Sequence, residues 1–552
     1  MGSRYGPFMT WDAATDLDGE PDVLKVSATD LESEGVCERH LAVKVRPFAR
    51  PKDWKRRFPP DRHATPFPLR DVVDVVVSAT RSAPMDDYQG LERWLRDEID
   101  SRSPSRLVRP YLDTAIRNAL EAHAAIEDEL GPLDLVVLNP EIGPPERRLT
   151  VWAPMYGTSD GVVEIRRFRI GSAKTDIDDG EWVRSAAWVA ASYPSDPPPT
   201  RVRVVELGLA DGSIHVAFDG SWDEARAMLE PVRPRMKAMA DGVRAQPGSK
   251  CGGCKIAGVC DALPHAHGLL GVDRPGHQTR SVAASALEVY RQCPARWLLS
   301  TELHLPRAEE PSEAQVRGVR VHEWLDTAHQ RGRPCAHDDL PNPDEAMGMA
   351  QELMTREEYE LAFPMLLAHV DVCPLAEPDS KLIGSEQLFL SYDDVADVIV
   401  ASKPDVVTAR GDTLVLTEVK TSMHAGPDSP DDAFGQTLQV PLMLNLLAKS
   451  WAPAQGYQHG QVRLEYLTPS GAKVWTWSTD SAEDVRRAES TLRSAAGDWH
   501  VDHDWSPRPG AHCAWCPVRD WCPDRDLYLQ PLGRPSAPSS QAAPVDDELP
   551  PF

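Results

Sequence analysis

The stretch SEQLFLSYDDVADVIVASKPDVVTARGDTLVLTEVKTSM, residues 385–423, decides how this chain is read. Its β-branched and aromatic residues predict three short strands, over 387–391, 398–401 and 413–419. Gly411-Asp412 supplies a turn before the third. Asp405 follows the second strand, and Glu418 and Lys420 stand near the end of the third. Residues i and i+2 on a strand share a face, so Glu418 and Lys420 point the same way. Two carboxylates suit a hard divalent cation such as Mg²⁺ or Mn²⁺. A lysine beside them suits the charge that develops when a phosphodiester is hydrolysed. Glu386, just before the first strand, reads as structural. An amphipathic hairpin with surface charges would carry the same letters, so the surroundings have to decide.

Those surroundings are a frame of cysteines. Cys293 precedes the stretch, and Cys513, Cys516 and Cys522 follow it with the spacing C-x2-C-x5-C. The first half repeats the scheme with Cys37, then Cys251, Cys254 and Cys260. Only Cys335 and Cys373 are left over. Thiolates so placed hold a metal or an iron–sulfur cluster. Zinc ligands come more often as two C-x2-C pairs, which favours iron–sulfur and leaves a four-cysteine zinc site as the rival.

The frame belongs to an internal repeat. Cys37 and Cys293 are 256 residues apart, and Cys251 and Cys513 are 262 apart. Residues 27–45 and 281–301 each read as a helix with one cysteine in its later turns. Residues 201–232 and 461–492 each read as strand, Gly-containing turn, strand and capped helix. A near-constant offset over such distances predicts a tandem duplication, with a period too long for a solenoid. The expected division is a first domain over 1–261, a linker over 262–279, a second domain over 280–530 and a tail over 531–552.

Pro404-Asp405, Glu418-Val419-Lys420 and the frame Cys293, Cys513, Cys516 and Cys522 resemble the PD-(D/E)XK nuclease superfamily. The resemblance is to its RecB-like, AddB-like branch, which carries an iron–sulfur cluster and is similar to CRISPR-associated RecB-like exonucleases. It covers about residues 281–525. Gly318-Val319-Arg320-Val321-His322 resembles that branch's helical G-x-x-x-H element. The resemblance implies a restriction-endonuclease-like α/β core, duplicated here, with each copy closed by a four-cysteine cluster site. It implies His322, Asp405 and Glu418 as metal ligands and Lys420 as the group that steadies the attacking water. It implies a 4Fe-4S cluster, mainly structural and needed for DNA binding, on Cys293, Cys513, Cys516 and Cys522. By the repeat, a second would sit on Cys37, Cys251, Cys254 and Cys260. The family's glutamine is followed four positions later by tyrosine. Here Gln439 is followed by Met443 and Gln436 by Val440; Gln439 is the choice, without its tyrosine.

The first copy reads as catalytically degenerate. In its middle, residues 151–174, Asp160 stands for Asp405. Glu164-Ile165-Arg166 is the nearest imitation of acid-x-Lys, with an arginine that cannot easily tune its proton affinity. Aligning Trp94 with Trp324 places Glu92 where His322 sits.

The bulk numbers bound the rest. With 552 residues, 41% of them hydrophobic, and 16 Trp, the chain can bury two or more cores. There is no long apolar span and no secretory signal, so a cytoplasmic protein without membrane association is expected, where clustered cysteines favour metal over disulfides. A net charge of −26 argues against a nonspecific nucleic-acid coat, although a local basic groove can still hold DNA phosphates. No G-x-x-x-x-G-K-[ST] motif is present, so unwinding would fall to a partner such as a helicase. From Pro531 the Pro/Ser/Ala composition predicts a disordered tail. Its end, Asp546-Asp547-Glu548-Leu549-Pro550-Pro551-Phe552, resembles the acidic tip of bacterial single-stranded-DNA-binding proteins. That resemblance implies docking of Asp546, Asp547, Leu549 and Phe552 on a genome-maintenance or defence partner. The reading is a Mg²⁺- or Mn²⁺-dependent deoxyribonuclease, an exonuclease on single-stranded or frayed ends, in DNA repair, recombination or antiviral defence. Its rivals are a catalytically silent iron–sulfur DNA-binding scaffold and a zinc-binding adaptor that works through its tail.

Overall fold

The computed structural model describes residues 17–33, 36–51, 68–83, 87–102, 105–178, 180–229, 232–273, 280–308, 312–340 and 356–525. The expectations for Asp546, Asp547, Leu549 and Phe552 lie outside the described residues.

Eight strands of the first half form two sheets. They are β1 (Leu24–Ser27), β2 (Asp134–Leu138), β3 (Glu141–Ile142), β4 (Arg147–Thr150), β5 (Pro154–Gly157), β6 (Val162–Arg169), β7 (Arg201–Gly208) and β8 (Ile214–Ser221). The larger sheet runs β8-β7-β6-β5-β2 and the smaller β1-β4-β3. In the second half the corresponding strands are β9 (Arg280–Ala283), β10 (Lys381–Ser385), β11 (Phe389–Asp393), β12 (Val398–Ser402), β13 (Val406–Arg410), β14 (Thr413–Thr421), β15 (His459–Thr468) and β16 (Gly471–Ser478). They run β16-β15-β14-β13-β10 and β9-β12-β11. The sense of pairing repeats as well. Each larger sheet has one parallel pair, β6 with β7 and β14 with β15, among antiparallel ones. Each smaller sheet joins one parallel and one antiparallel pair.

A parallel pair needs a crossover connection. It is supplied by α4 (Glu181–Ser192) in the first half and, in the second, by the buried helix Gln439–Leu446. The remaining first-half helices used below are α1 (Ala28–Glu32), α2 (Pro68–Ser82) and α3 (Arg109–Leu130). The second half uses α5 (Ala284–Gln292), α6 (Glu313–His329), α7 (Arg356–Val372), the crossover helix as α8, and α9 (Ala482–Val501). The start of α6 is set by a capping box. Ser312 Oγ accepts the Gln315 N–H at 3.3 Å, and Gln315 Oε1 accepts the Ser312 N–H at 3.1 Å.

Expected and observed elements differ where a local conformation intervenes. The first predicted strand starts only at Phe389, because Glu386 takes a positive φ of 51°. Strand β13 was not expected as a separate element; its run VVTAR is buried but for its last residue and lacks the alternation that marks a half-exposed strand. The helix predicted over 281–301 begins as strand β9 and is interrupted at Cys293, which is extended (φ −157°, ψ 111°) ahead of Pro294. The helix predicted over 27–45 is also divided: one helix ends at Glu32, and the next starts at Glu38 after an extended Cys37 (φ −149°, ψ 107°).

One apolar core joins the halves. Tyr111 of α3 meets Trp521 edge-on at 5.2 Å, and Arg106 pairs with Asp524. The described part of the expected linker is packed rather than loose. Leu269 and Leu270 are buried in this core, and Pro264 and Ala266 exchange backbone hydrogen bonds with Tyr392 of β11. At the centre Trp297 stacks on Trp505 at 4.7 Å and meets Trp499 at 6.0 Å. Trp297→Ala should lower stability by about 3–5 kcal/mol, the usual cost of such a cavity. Urea denaturation followed by circular dichroism measures it, and a loss below about 1 kcal/mol would contradict this packing.

Candidate functional site

Strand β14 is buried on both faces, as the inner strand of a parallel pair must be. Its edge residues Glu418 and Lys420 therefore enter a cavity closed by helices rather than open solvent. That cavity, of about 350 Å³, is lined by His322 of α6, Glu386, Asp405, Glu418, Lys420 and Gln439 of α8. Asp405, between β12 and β13, is its hub. Its Oδ2 accepts the Val419 N–H at 2.6 Å, its Oδ1 faces His322 Nδ1 at 2.6 Å, and its carbonyl accepts the Glu386 N–H at 3.0 Å. Lys420 Nζ pairs with Glu418 Oε1 at 3.0 Å. Gln439 is buried beside Glu288 and Lys420, and the amide orientation that satisfies both has its nitrogen donating to Glu288 Oε1 (3.2 Å) and its oxygen accepting from Lys420 Nζ (3.3 Å). Glu288 of α5 also accepts the Leu438 N–H at 2.8 Å.

Charges in this confined space shift one another. Burial raises the Asp405 carboxyl, but His322 and the Val419 N–H outweigh it and hold Asp405 below the usual carboxylate range. Burial lowers His322, and Asp405 reverses this, raising it. Burial, helped by Asp405, pushes Glu418 up to about 7 against the pull of Lys420. Lys420 is raised: burial opposes its charge, and Glu418 and Glu288 more than compensate, so it stays an ammonium.

The structure thus brings together His322, Asp405, Glu418, Lys420 and Gln439. It adds Glu386, which sequence reasoning set aside. Donor atoms of His322, Glu386 and Asp405 lie within 4.8 Å of one another. Glu386 also pairs with Lys403, and burial and Asp405 raise its pKa. The sequence held one signal: an acid just outside a strand, a position where a side chain can be turned by a left-handed residue.

In the first half the same scaffold carries other residues. Asn139 and Glu386 both have positive φ (59° and 51°), and both donate their N–H at 3.0 Å, to the carbonyls of Ala153 and Asp405. Ala153 therefore takes the place of Asp405. Two residues on, Met155 pairs with Ile165 as Val407 pairs with Leu416. Counting along the strands then sets Arg167 at Glu418 and Arg169 at Lys420. Arg167 is bound to Glu32 at 2.9 Å and Arg169 to Glu206 at 2.7 Å. The sequence alignment is corrected accordingly. Asp160 lies between β5 and β6, hydrogen-bonded to Thr158, and Glu164 and Arg166 face the opposite side of the sheet, toward His123. Glu92 sits on the helix Tyr88–Ser101 and is paired with Arg117. It is α2 that packs on β2 and β6, as α6 packs on β10 and β14.

Both cysteine quartets converge. Cys293, Cys513, Cys516 and Cys522 line one small cavity, and Cys37, Cys251, Cys254 and Cys260 line another. Their backbone donors match: the Gln246 N–H reaches Cys37 Sγ at 3.4 Å and the Arg508 N–H reaches Cys293 Sγ at 3.5 Å. Burial raises the thiols, Cys254 to about 12 and Cys522 to about 11.

Residues 281–523 match the family model described as PD-(D/E)XK nuclease superfamily. Among solved structures, one titled "Crystal structure of SSO0001" aligns over 44% of this chain and 87% of that chain, with 16% identity and a TM-score of 0.22. No curated protein matches. Among the described residues no helix is long and apolar enough to cross a membrane.

If a cation is held by His322, Asp405 and Glu418, the set the sequence resemblance implies, Glu418 must be a carboxylate and the coordinating nitrogen of His322 must carry no proton. Both pKa values are raised, so both protons must leave when the metal enters, and affinity must fall as pH drops through about 7. Calorimetric titration of the protein with Mn²⁺ at pH 6, 7 and 8 should show affinity rising about tenfold per pH unit for each proton released. A pH-independent affinity would contradict the assignment.

Proposed function

We propose that this chain is a metal-dependent deoxyribonuclease, with its chemistry in the second half and a catalytically silent copy of the same core in the first. The observation that carries the proposal is the convergence of His322, Asp405, Glu418 and Lys420 on one cavity, inside the stretch that matches the nuclease superfamily. Tandem duplication is supported by the identical strand order and pairing sense of the halves.

PD-(D/E)XK nucleases use divalent metals, and the donors here are hard oxygens and one imidazole, a set that fits Mg²⁺ or Mn²⁺. Asp405, Glu418 and His322 would hold the ion, with Glu386 beside them. Bound there, such an ion supplies Lewis acidity at the scissile phosphate and a more acidic water. Lys420, kept protonated by Glu418 and Glu288, donates from Nζ to the attacking water or to charge growing on the phosphoryl oxygens. Gln439 holds that ammonium in position. The first half, with Ala153, Arg167 and Arg169 at the matching places, has no such donor set, and its role is to hold DNA or to dock the active half.

Each cysteine quartet holds a 4Fe-4S cluster in this reading. Buried thiols with raised pKa values become thiolates only with a compensating positive charge, which a cluster provides. Cys293 ends α5 and its three partners close the domain, so the cluster staples first helix to last turn. The substrate is linear DNA with single-stranded or frayed ends, attacked as an exonuclease. A helicase or other partner in repair, recombination or defence would dock on the tail through Asp546, Asp547, Leu549 and Phe552, in the cytoplasm. The second reading, a silent iron–sulfur scaffold, draws on Met443, which is fully buried in the core at the position where the family shows tyrosine.

Anaerobically purified protein should degrade linear single-stranded DNA with Mn²⁺, and Asp405→Ala should lose about 10³-fold, the several kcal/mol a metal site supplies. Equal rates, or no cleavage by either, would turn the reading to the scaffold. Cys513→Ser should roughly halve the iron bound per chain while Cys251→Ser removes the other half; unchanged iron in both variants would remove the clusters from the account.

A further inference from the structure

The two cysteines outside the repeat lie in the best-formed donor cluster among the described residues. His329 is the last residue of α6, Cys335 lies in the loop that follows, His369 is in the last turn of α7, and Cys373 comes directly after that helix. All four are buried: His329 and His369 are 0% exposed, Cys373 1% and Cys335 7%. One ligand atom from each, two imidazole nitrogens and two sulfurs, lies within 4.8 Å of all the others.

We propose that His329, Cys335, His369 and Cys373 form a closed, tetrahedral zinc site. Metal–nitrogen bonds of about 2.0–2.1 Å and metal–sulfur bonds of about 2.3 Å at tetrahedral angles place nitrogens about 3.3 Å apart and nitrogen and sulfur about 3.6 Å apart. Here His329 Nε2 and His369 Nε2 are 3.1 Å apart, and Cys373 Sγ is 3.8 Å from His329 Nε2. The imidazole planes are nearly perpendicular, at 79°, as two rings aimed at one point from different helices should be. His369 has the outer support typical of a metal ligand: its Nδ1 meets Glu465 Oε2 at 2.8 Å, and Arg463 Nε donates to Glu465 Oε1 at 2.9 Å. Without an ion, the two buried imidazoles can pair only by one Nε2–H donating to the other Nε2, with the Cys373 thiol beside them, whereas one tetrahedral ion would take a lone pair from each ring nitrogen and each sulfur. Two histidines and two thiolates are the soft, four-coordinate set that zinc takes. In the first half, the space between α3 and the sheet is filled by His123, Arg166 and Glu164 instead.

The site has a mechanical consequence. His329 lies two helical turns beyond His322 on α6, hence on about the same face. Glu465, on β15, pairs in register with Val419 of β14, whose N–H holds Asp405. Zinc would thus pin the far end of the helix that presents His322 to the strands that present Asp405 and Glu418. The ligand set itself is independent of the nuclease reading.

The test is metal analysis of full-length protein purified without added metal, wild type beside the double variant Cys335→Ser/Cys373→Ser. About one zinc per chain is expected in wild type, falling at least tenfold in the variant with iron unchanged. Zinc-edge X-ray absorption of the wild type guards against a variant that fails to fold. It should show two sulfur ligands near 2.3 Å and two nitrogen ligands near 2.0–2.1 Å. Zinc surrounded by four sulfurs would place it in a cysteine quartet and overturn the proposal. So would wild-type protein that takes up no zinc on reconstitution, or one whose Cys335 and Cys373 are joined as a disulfide.

Discussion

The carboxylate of Asp405 ties the site together. It is nearly buried, and a buried carboxylate is tolerated only when its lone pairs are matched. One oxygen takes the Val419 N–H, which sets the strand that carries Glu418 and Lys420. The other takes His322 Nδ1, which holds α6 against the sheet. Its backbone carbonyl takes the N–H of Glu386, which turns a further acid inward. Three segments far apart in sequence therefore meet through one residue.

The two halves carry different charges on sheets of the same strand order. Strand order, pairing sense, the bulge in the edge strand and the left-handed residue after it all recur. What changes is charge. Ala153 stands where Asp405 organises the second half, and Arg167 and Arg169 stand where Glu418 and Lys420 lie. The arginines are neutralised by Glu32 and Glu206, so the first half satisfies its buried charges internally. In the second half Glu418 and Glu386 also have cationic partners, Lys420 and Lys403, yet burial and the nearby Asp405 keep both carboxyls above the usual range. Scaffold and site are separable.

Much of this was legible. The C-x2-C-x5-C spacing pointed to two thiol groupings, because cysteines three and six positions apart in tight turns can line one small cavity, as both quartets do. D…E-x-K on alternating residues predicted a shared face because strand geometry has a period of two. Other features were not legible. Asp160 matches Asp405 only in being an acid, whereas the Asn139 N–H meets the Ala153 carbonyl as the Glu386 N–H meets that of Asp405. Strand β13 hid inside a buried run. Cys335 and Cys373 looked like leftovers because their partners are histidines 40 residues apart in sequence, brought together only by the packing of α6 on α7.

By itself, then, the amino-acid order determined the α/β character, the matching cysteine spacings of the two halves and the shared face of Glu418 and Lys420, all of which depend on local period and spacing. Only the tertiary structure decided that Glu386 joins His322 and Asp405, that Gln439 serves Lys420, and that His329, Cys335, His369 and Cys373 share one point. Those groupings depend on which helix crosses which strand, and on desolvation that no residue possesses until the others surround it.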